Sequence, residues 1–324
     1  MRIRWAWVIA TAIVLAAVVC YSLDGVRTTS VLSFALRYSL PLILAAMVGI
    51  ICERSGVINI GIEGQMLMSA FAGFFGASLT GSLVMGVLIG VGTGLVLGGF
   101  LALGSVSLKM DQIIAGTVLN IVAVGLTSYF YSSGQSLPGR IPTLEIPILS
   151  DLPLVGPVLF DNGPFTYGVI AIVLVLQVLL FRSIWGIRTR AVGENPSAAE
   201  TSGIGVNRLR FWNVTLAGAV AGLAGAYLSI DAAGTFERGM TAGRGFTALA
   251  IMIFGAWNPL GAMAAALFFG LTQGVASQLQ ADEVVAIPQQ FVNMLPYVLT
   301  IVLLAIVAGR VKPPAAVGKA FENG

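Results

Sequence analysis

The feature that most constrains this chain is a series of apolar stretches, each close to the ~20 residues that a helix needs to cross a bilayer, recurring along its whole length. Ten are predicted as membrane helices: 5–23, 30–52, 66–81, 83–104, 113–131, 164–182, 211–230, 244–257, 259–279 and 291–309. The stretches 66–81 and 244–257 are short. Only Gly81-Ser82 parts 66–81 from 83–104, so that pair could instead be one broken segment. Composition agrees with a membrane setting. Of 324 residues, 57% are hydrophobic and 10% charged, against about 25% charged in soluble domains. The expected fold class is an all-α polytopic membrane protein, with residues 1–324 forming one transmembrane domain. The basic Met1–Arg4 followed by apolar Trp5–Val19 has the outline of a signal peptide. Ala17-Val18-Val19-Cys20 is a poor lipoprotein cleavage site because Val19 is bulky, so an uncleaved first helix is expected.

Basic residues orient the spans. With Met1 cytoplasmic, Arg2, Arg4, Arg54, Lys109, Arg182, Arg188, Arg190, Arg208, Arg210, Arg310, Lys312 and Lys319 fall inside, which is 12 of the 17 Lys and Arg. Arg27, Arg140, Arg238 and Arg244 fall outside, and Arg37 lies within the second span. Both termini are therefore expected in the cytoplasm. Segment 132–163 becomes an external loop whose prolines (138, 142, 147, 153 and 157) favour a stiff extended cap. Segment 185–210 becomes a polar cytoplasmic loop. The tail 311–324, with Pro313-Pro314, is expected to fray in the cytoplasm.

Several chemistries are excluded. Histidine is absent, which removes Ser-His-Asp and Cys-His catalysis and His metal sites. Two cysteines, Cys20 and Cys52, cannot build a four-cysteine centre. No metal site is expected, and the net charge of +3 reflects membrane orientation, with no nucleic-acid partner. No Gly-x4-Gly-Lys-Ser/Thr loop occurs, so any ATP chemistry belongs to another polypeptide.

Three polar features interrupt the apolar pattern. Glu53–Gln65 contains Gly56, Gly61 and Gly64 and the polar side chains Asn59, Glu63 and Gln65. It is either a cytoplasmic loop or a break at membrane depth lining a pathway. Gly243–Gly261 holds a short apolar helix ended by the Asn258-Pro259 turn. In Arg188–Gly205, Asn195 is placed to cap a helix that starts at Pro196 and ends at Gly203 or Gly205. That helix, carrying Ala198-Ala199, lies on its own protein or docks on a cytoplasmic partner. Polar residues inside spans (Gln112, Asn120, Gln177, Asn213, Gln273 and Asn293) chiefly suit helix–helix hydrogen bonds, with Asn120 and Asn293 the pathway candidates. Gly86, Gly90, Gly94 and Gly98 form a stripe on one helix face, for packing within the chain or between subunits; Gly218, Gly222 and Gly225 make a similar face.

At these motifs the sequence resembles a known family. Glu53-Arg54-Ser55-Gly56-Val57-Ile58-Asn59-Ile60-Gly61-Ile62-Glu63-Gly64-Gln65-Met66 is similar to the signature of permease subunits of bacterial ABC importers for branched-chain amino acids, simple sugars and nucleosides. Arg190–Ile204 is similar to the family's cytoplasmic coupling loop, and Phe246–Ala250 with Gly255–Gly261 to a third pattern. The likeness covers about residues 30–310 and is nearest the purine-nucleoside type. It implies a type II-like permease fold in the bacterial inner membrane. The chain would be no enzyme and would hold no cofactor, with ATP and Mg bound by a separate ATPase subunit. The implied partners are that ATPase, a second permease in a heterodimer, and an extracytoplasmic substrate-binding protein. The coupling residues would be Gly193, Glu194, Asn195, Ala198, Ala199, Gly203 and Ile204. A purine-nucleoside site needs an aromatic face and amide or carboxylate partners; the candidates are Asn59, Glu63, Gln65, Asn120, Phe246 and Asn293. A simple-sugar permease of the ribose or galactose kind is the nearest alternative. An ion-coupled transporter acting alone lacks the buried acids it would need, and a scaffold needs no broken helices.

Overall fold

A computed structural model describes residues 21–132, 135, 137, 139, 141–281, 294, 298 and 312–322. In chain order its helices are α1 Gly25–Arg54, α2 Ile62–Thr80, α3 Leu83–Ala102, α4 Gln112–Phe130, α5 Pro164–Arg182, α6 Ile184–Glu194, α7 Pro196–Thr201, α8 Val206–Ala226, α9 Arg244–Phe254 and α10 Pro259–Ala281. Short π-helical turns extend α3 over Leu103–Ser107 and α8 over Tyr227–Ala232.

Six helices among the described residues are long and apolar enough to cross a membrane: α1, α3, α4, α5, α8 and α10. The fifth and sixth predicted spans, 113–131 and 164–182, match α4 and α5 almost residue for residue. The described residues do not confirm the ten-span count. The span expected at 66–81 is α2, which starts earlier, carries Glu63 and Gln65 in its first turn, and falls outside the six. The span expected at 244–257 is the 11-residue α9. The predicted span 291–309 and almost all of 5–23 lie outside the described residues. Gly81 in the left-handed region (φ 66°) ends α2, and the Ser82 hydroxyl caps α3. The pair is thus two helices and not one broken segment.

Burial ranks the helices. Within the most apolar window, 83% of α1 and 78% of α8 with its π turn are buried, against 17% of α4. α1 is the central post, with Leu40–Cys52 at its core. The glycine stripe packs within the chain: α3 crosses α8 where Gly94 and Gly98 meet Gly218 and Gly222 backbone to backbone.

Between α4 and α5 the described residues form more than an extended cap. Leu144–Glu145 pairs antiparallel with Asp161–Asn162, closing a hairpin. The described tail 312–322 does not fray, which corrects the expectation from Pro313-Pro314. Its backbone donors find partners: Ala316 N–H donates to the Gly193 carbonyl (2.9 Å) and Gly318 N–H to the Gly56 carbonyl (3.1 Å). Phe321 is buried with Val192, Ala199 and Val206.

Candidate functional site

The segment between α1 and α2 is an irregular break buried by protein. Ser55, Gly56 and Val57 fold back on the carbonyls of Cys52 and Glu53, with Gly56 at φ +89°. The chain then climbs α4. Ile58 N–H donates to Gln112 Oε1 (2.7 Å), Asn120 Nδ2 donates to the Ile60 carbonyl (3.0 Å), and Gly64 N–H donates to Asn120 Oδ1 (2.7 Å). From Gln112 to Asn120 is about 12 Å of helix rise. Irregular backbone in a membrane protein is tolerated where it is buried in protein or wetted. Here Val57 and Asn59 are fully buried, and Gly116 of α4 lets the Gly61 backbone come close.

This geometry redefines the predicted pathway residues. Asn59 and Gln65 are fully buried, and Asn59 Nδ2 donates to Gln65 Oε1 at 3.1 Å. Asn120 is a backbone clamp. The Glu63 carboxylate accepts from Gly243 N–H (2.8 Å) and Gly245 N–H (2.6 Å), binding the start of α9 to the start of α2. Phe246 is half-exposed and away from the cavity described below. Asn293 lies outside the described residues. Asn59, Glu63, Gln65 and Asn120 are thus brought together as a knot joining α2, α4 and α9. Asn120→Ala removes both partners of the climbing segment, at about 1 kcal/mol per hydrogen bond. The purified variant should melt several degrees below wild type, with loss of folded yield preceding any selective change in substrate affinity.

The three sequence motifs converge at the C-terminal end of α1, where the break begins. Trp257 Nε1 donates to Glu53 Oε2 (2.7 Å), and Arg54 Nε donates to the Trp257 carbonyl (3.0 Å). Gly193 packs directly on the Arg54 carbonyl, where a side chain has no room. The helix expected after Asn195 is present and short. Asn195 Oδ1 accepts from Ala198 N–H (3.1 Å), Pro196 opens α7, and Gly203 (φ +81°) follows its end. The predicted coupling helix Gly193–Ile204 is narrower than expected. Gly193 and Glu194 finish α6, and Glu194 Oε2 accepts from Ala315 N–H of the tail (3.2 Å). Ala198 is exposed, whereas Ala199 is buried under the tail, so the two alanines do not share a surface. Ile204 packs beside that buried cluster.

A cavity of about 710 Å³ opens beneath the Leu144–Asn162 hairpin, among α1, α5, the π turn after α8, α9 and α10. Arg37, Tyr38, Tyr227, Asp231, Arg244 and Gln273 face it. None of the five predicted pathway residues that are described (Asn59, Glu63, Gln65, Asn120 and Phe246) lines it. Sequence placed Arg37 inside a span and Arg244 in an external loop, and did not single out Asp231; the fold gathers all three. Only the unusual depth of Arg37 signalled this. The residue sits about 18 Å along α1 from Gly25, where an ionised side chain demands a wet or paired environment.

Residues 31–304 match the family described as branched-chain amino acid transport system / permease component. The chain is 38% identical to the nucleoside ABC transporter permease protein NupC of Lactococcus lactis subsp. cremoris (strain MG1363), over 87% of this chain and 93% of that one. It is 35% identical to the guanosine ABC transporter permease protein NupQ of Bacillus subtilis (strain 168), over 93% and 99%. The glucose ABC transporter permease protein TsgB13 of Haloferax volcanii is 26% identical, over 88% and 78%. A solved inward-facing ABC transporter of metal-chelate type shares the fold, with a TM-score of 0.52 and 19% identity over 94% of this chain and 98% of that one. The apolar helices, the buried break between α1 and α2 and these likenesses agree: the chain is an integral membrane protein belonging to the permease-component family of branched-chain amino acid type ABC transport systems.

Proposed function

We propose that the chain is the membrane permease subunit of a nucleoside ABC importer. The observation that carries this reading is near full-length similarity to NupC and NupQ. In this reading a second, non-identical permease completes the pathway, and an extracytoplasmic binding protein delivers the nucleoside. ATP and Mg are bound and hydrolysed on a separate ATPase subunit. Ten spans, with both termini in the cytoplasm of a bacterial inner-membrane protein, fit the distribution of Lys and Arg. A simple sugar is the second reading, favoured by the likeness to TsgB13. The test is uptake by the reconstituted complex, with radiolabelled guanosine, inosine, ribose and glucose supplied through the co-purified binding protein. ATP-dependent nucleoside uptake supports the proposal; sugar uptake without nucleoside uptake overturns it.

The ATPase surface centres on exposed Ala198, with Asn195, Ser197 and Thr201 around it. A short helix docked in a cleft transmits force as a packed element with two arrangements. Ala198→Arg should leave the folded yield unchanged and cut ATPase co-purification at least tenfold. Ala199→Arg buries a charge under Phe321 and should instead lower the stability of the chain itself. Wild-type coupling in Ala198→Arg would refute the assignment of this surface.

A further inference from the structure

The cavity beneath the Leu144–Asn162 hairpin is unexplained by the motif knot and by the coupling end. Its chemistry is specific. Arg37 is exposed to it from α1, between the buried Leu36 and Ser39. Asp231 faces it from the π turn that prolongs α8, a backbone form frequent at functional sites. Both side chains line the cavity, and among the described residues they form no direct ion pair. Gly163 packs beside Asp231: a Cβ there would meet the carboxylate at an ordinary contact distance of 3.5 Å. The Phe34 ring, 42% exposed, lines the wall. It stacks near-parallel with Tyr38 along the helix, at 6.0 Å between centroids and an interplanar angle of 19°. Arg244 lies over Tyr38 (5.3 Å), while its own Nη1 donates to the Met240 carbonyl (2.8 Å). It is thus anchored, and Arg37 is the cation left open to a ligand. Tyr227 donates to the Arg37 backbone carbonyl (3.0 Å) and fixes the floor.

We propose that this cavity is a binding site for a 6-oxopurine nucleoside, contacted on this subunit during import. The proposal rests on the nucleoside reading above. A purine stacks on Phe34. The Arg37 guanidinium forms the paired donors that match the O6 and N7 acceptors of a guanine-type edge. Asp231 accepts from the two ribose hydroxyls, and Gln273 supplies an amide beside them. The site discriminates by chemistry: an adenine edge presents an amino donor where Arg37 needs an acceptor, and a buried mismatch of that kind is costly. The volume suits a small molecule of this size.

The test uses the whole complex of both permeases, ATPase and binding protein in liposomes, with the photoreactive probe 8-azidoguanosine and radiolabelled guanosine and adenosine. Labelling is expected on a peptide containing Phe34–Pro41 or Tyr227–Ala232, suppressed by excess guanosine. Asp231→Asn should lower guanosine uptake and labelling at least tenfold. Arg37→Gln should reduce the guanosine-to-adenosine uptake ratio by a similar factor. Phe34→Ala should weaken labelling several-fold, with Phe34→Tyr restoring it; this half-exposed ring keeps the test open if a charge variant fails to assemble. Labelling confined to α4, or uptake within twofold of wild type in all three variants, overturns the site while leaving nucleoside import intact. A wild-type complex that moves sugar and no nucleoside overturns the import reading and the site together.

Discussion

Gly94→Ala, the addition of one methyl group, should eliminate most folded protein from the membrane, whereas Gly92→Ala two residues away should be neutral or stabilising. The contrast follows from the α3–α8 crossing. A Cβ on Gly94 would overlap the Gly218 carbonyl and come within 2.5 Å of the Gly222 Cα. Both obstacles are backbone, so no side chain can turn aside. Relief requires the helices to separate, opening the contacts of Gly90, Gly98 and Thr215 along the same seam. Overpacking costs about 1–3 kcal/mol where a core can adjust, and this seam can adjust only as a unit. Gly92 has nothing within 4 Å of its Cβ position. Alanine there gains about 0.5–1 kcal/mol of helix stability over glycine. Yield and thermal stability in detergent, read by fluorescence-detected size exclusion, check both variants. The same pair separates the two uses of a glycine stripe. A subunit interface would leave a folded but lone Gly94→Ala chain; an internal seam leaves none.

The stripe shows where sequence runs out. Its period put the glycines on one helix face, but the identity of the facing surface is a tertiary fact, and α8 carries its own small-residue face without naming its partner. Local rules fared better. Asn195 followed by Pro196 set the start of α7 because a cap and a first-turn proline act within four residues. The boundaries of α5 were legible because Gly163-Pro164 begins it and Arg182-Ser183 ends the apolar run. The polar residues of the break were found, but their hydrogen-bond partners were not legible. An amide in an apolar segment has the same one-dimensional signature whether it meets a substrate or a stray backbone group. Asn120 meets the Gly64 N–H and the Ile60 carbonyl. Asp231 was overlooked because it follows the seventh apolar stretch and resembles a loop acid; only the π turn brings it back to face Arg37. The tail was misjudged because Pro313-Pro314 excludes a helix there, and fraying was inferred from the lack of helix. Docking by backbone hydrogen bonds needs no regular structure.

That docked tail leads to the second large effect, expected on coupling and not on the pathway. Arg210 is 2% exposed, with no acid paired to it among the described residues. Its guanidinium spends its donors on backbone: Nε donates to the Ser55 carbonyl (2.9 Å) and Nη1 to the Lys319 carbonyl (2.8 Å). One side chain thus ties the turn after α1, the start of α8 and the tail, while the tail seals Ala199 of α7 through Phe321. Hydrogen bonds to a charged group contribute about 1.5–3 kcal/mol each, so Arg210→Met, which keeps the bulk, should release the tail. The position of α7 then loses its backing, and force from an ATPase should no longer reach the turn at Ser55–Val57. The expected result is at least a tenfold fall in transport per ATP hydrolysed, with tail residues newly open to protease. Removal of residues 312–324 should give the same loss. Because both changes break the same contact, the double variant should be no worse than either alone; effects at independent sites add instead. Additive losses would mean that Arg210 and the tail act separately, and tight coupling in the truncated chain would reduce the tail to a passive cover over Ala199.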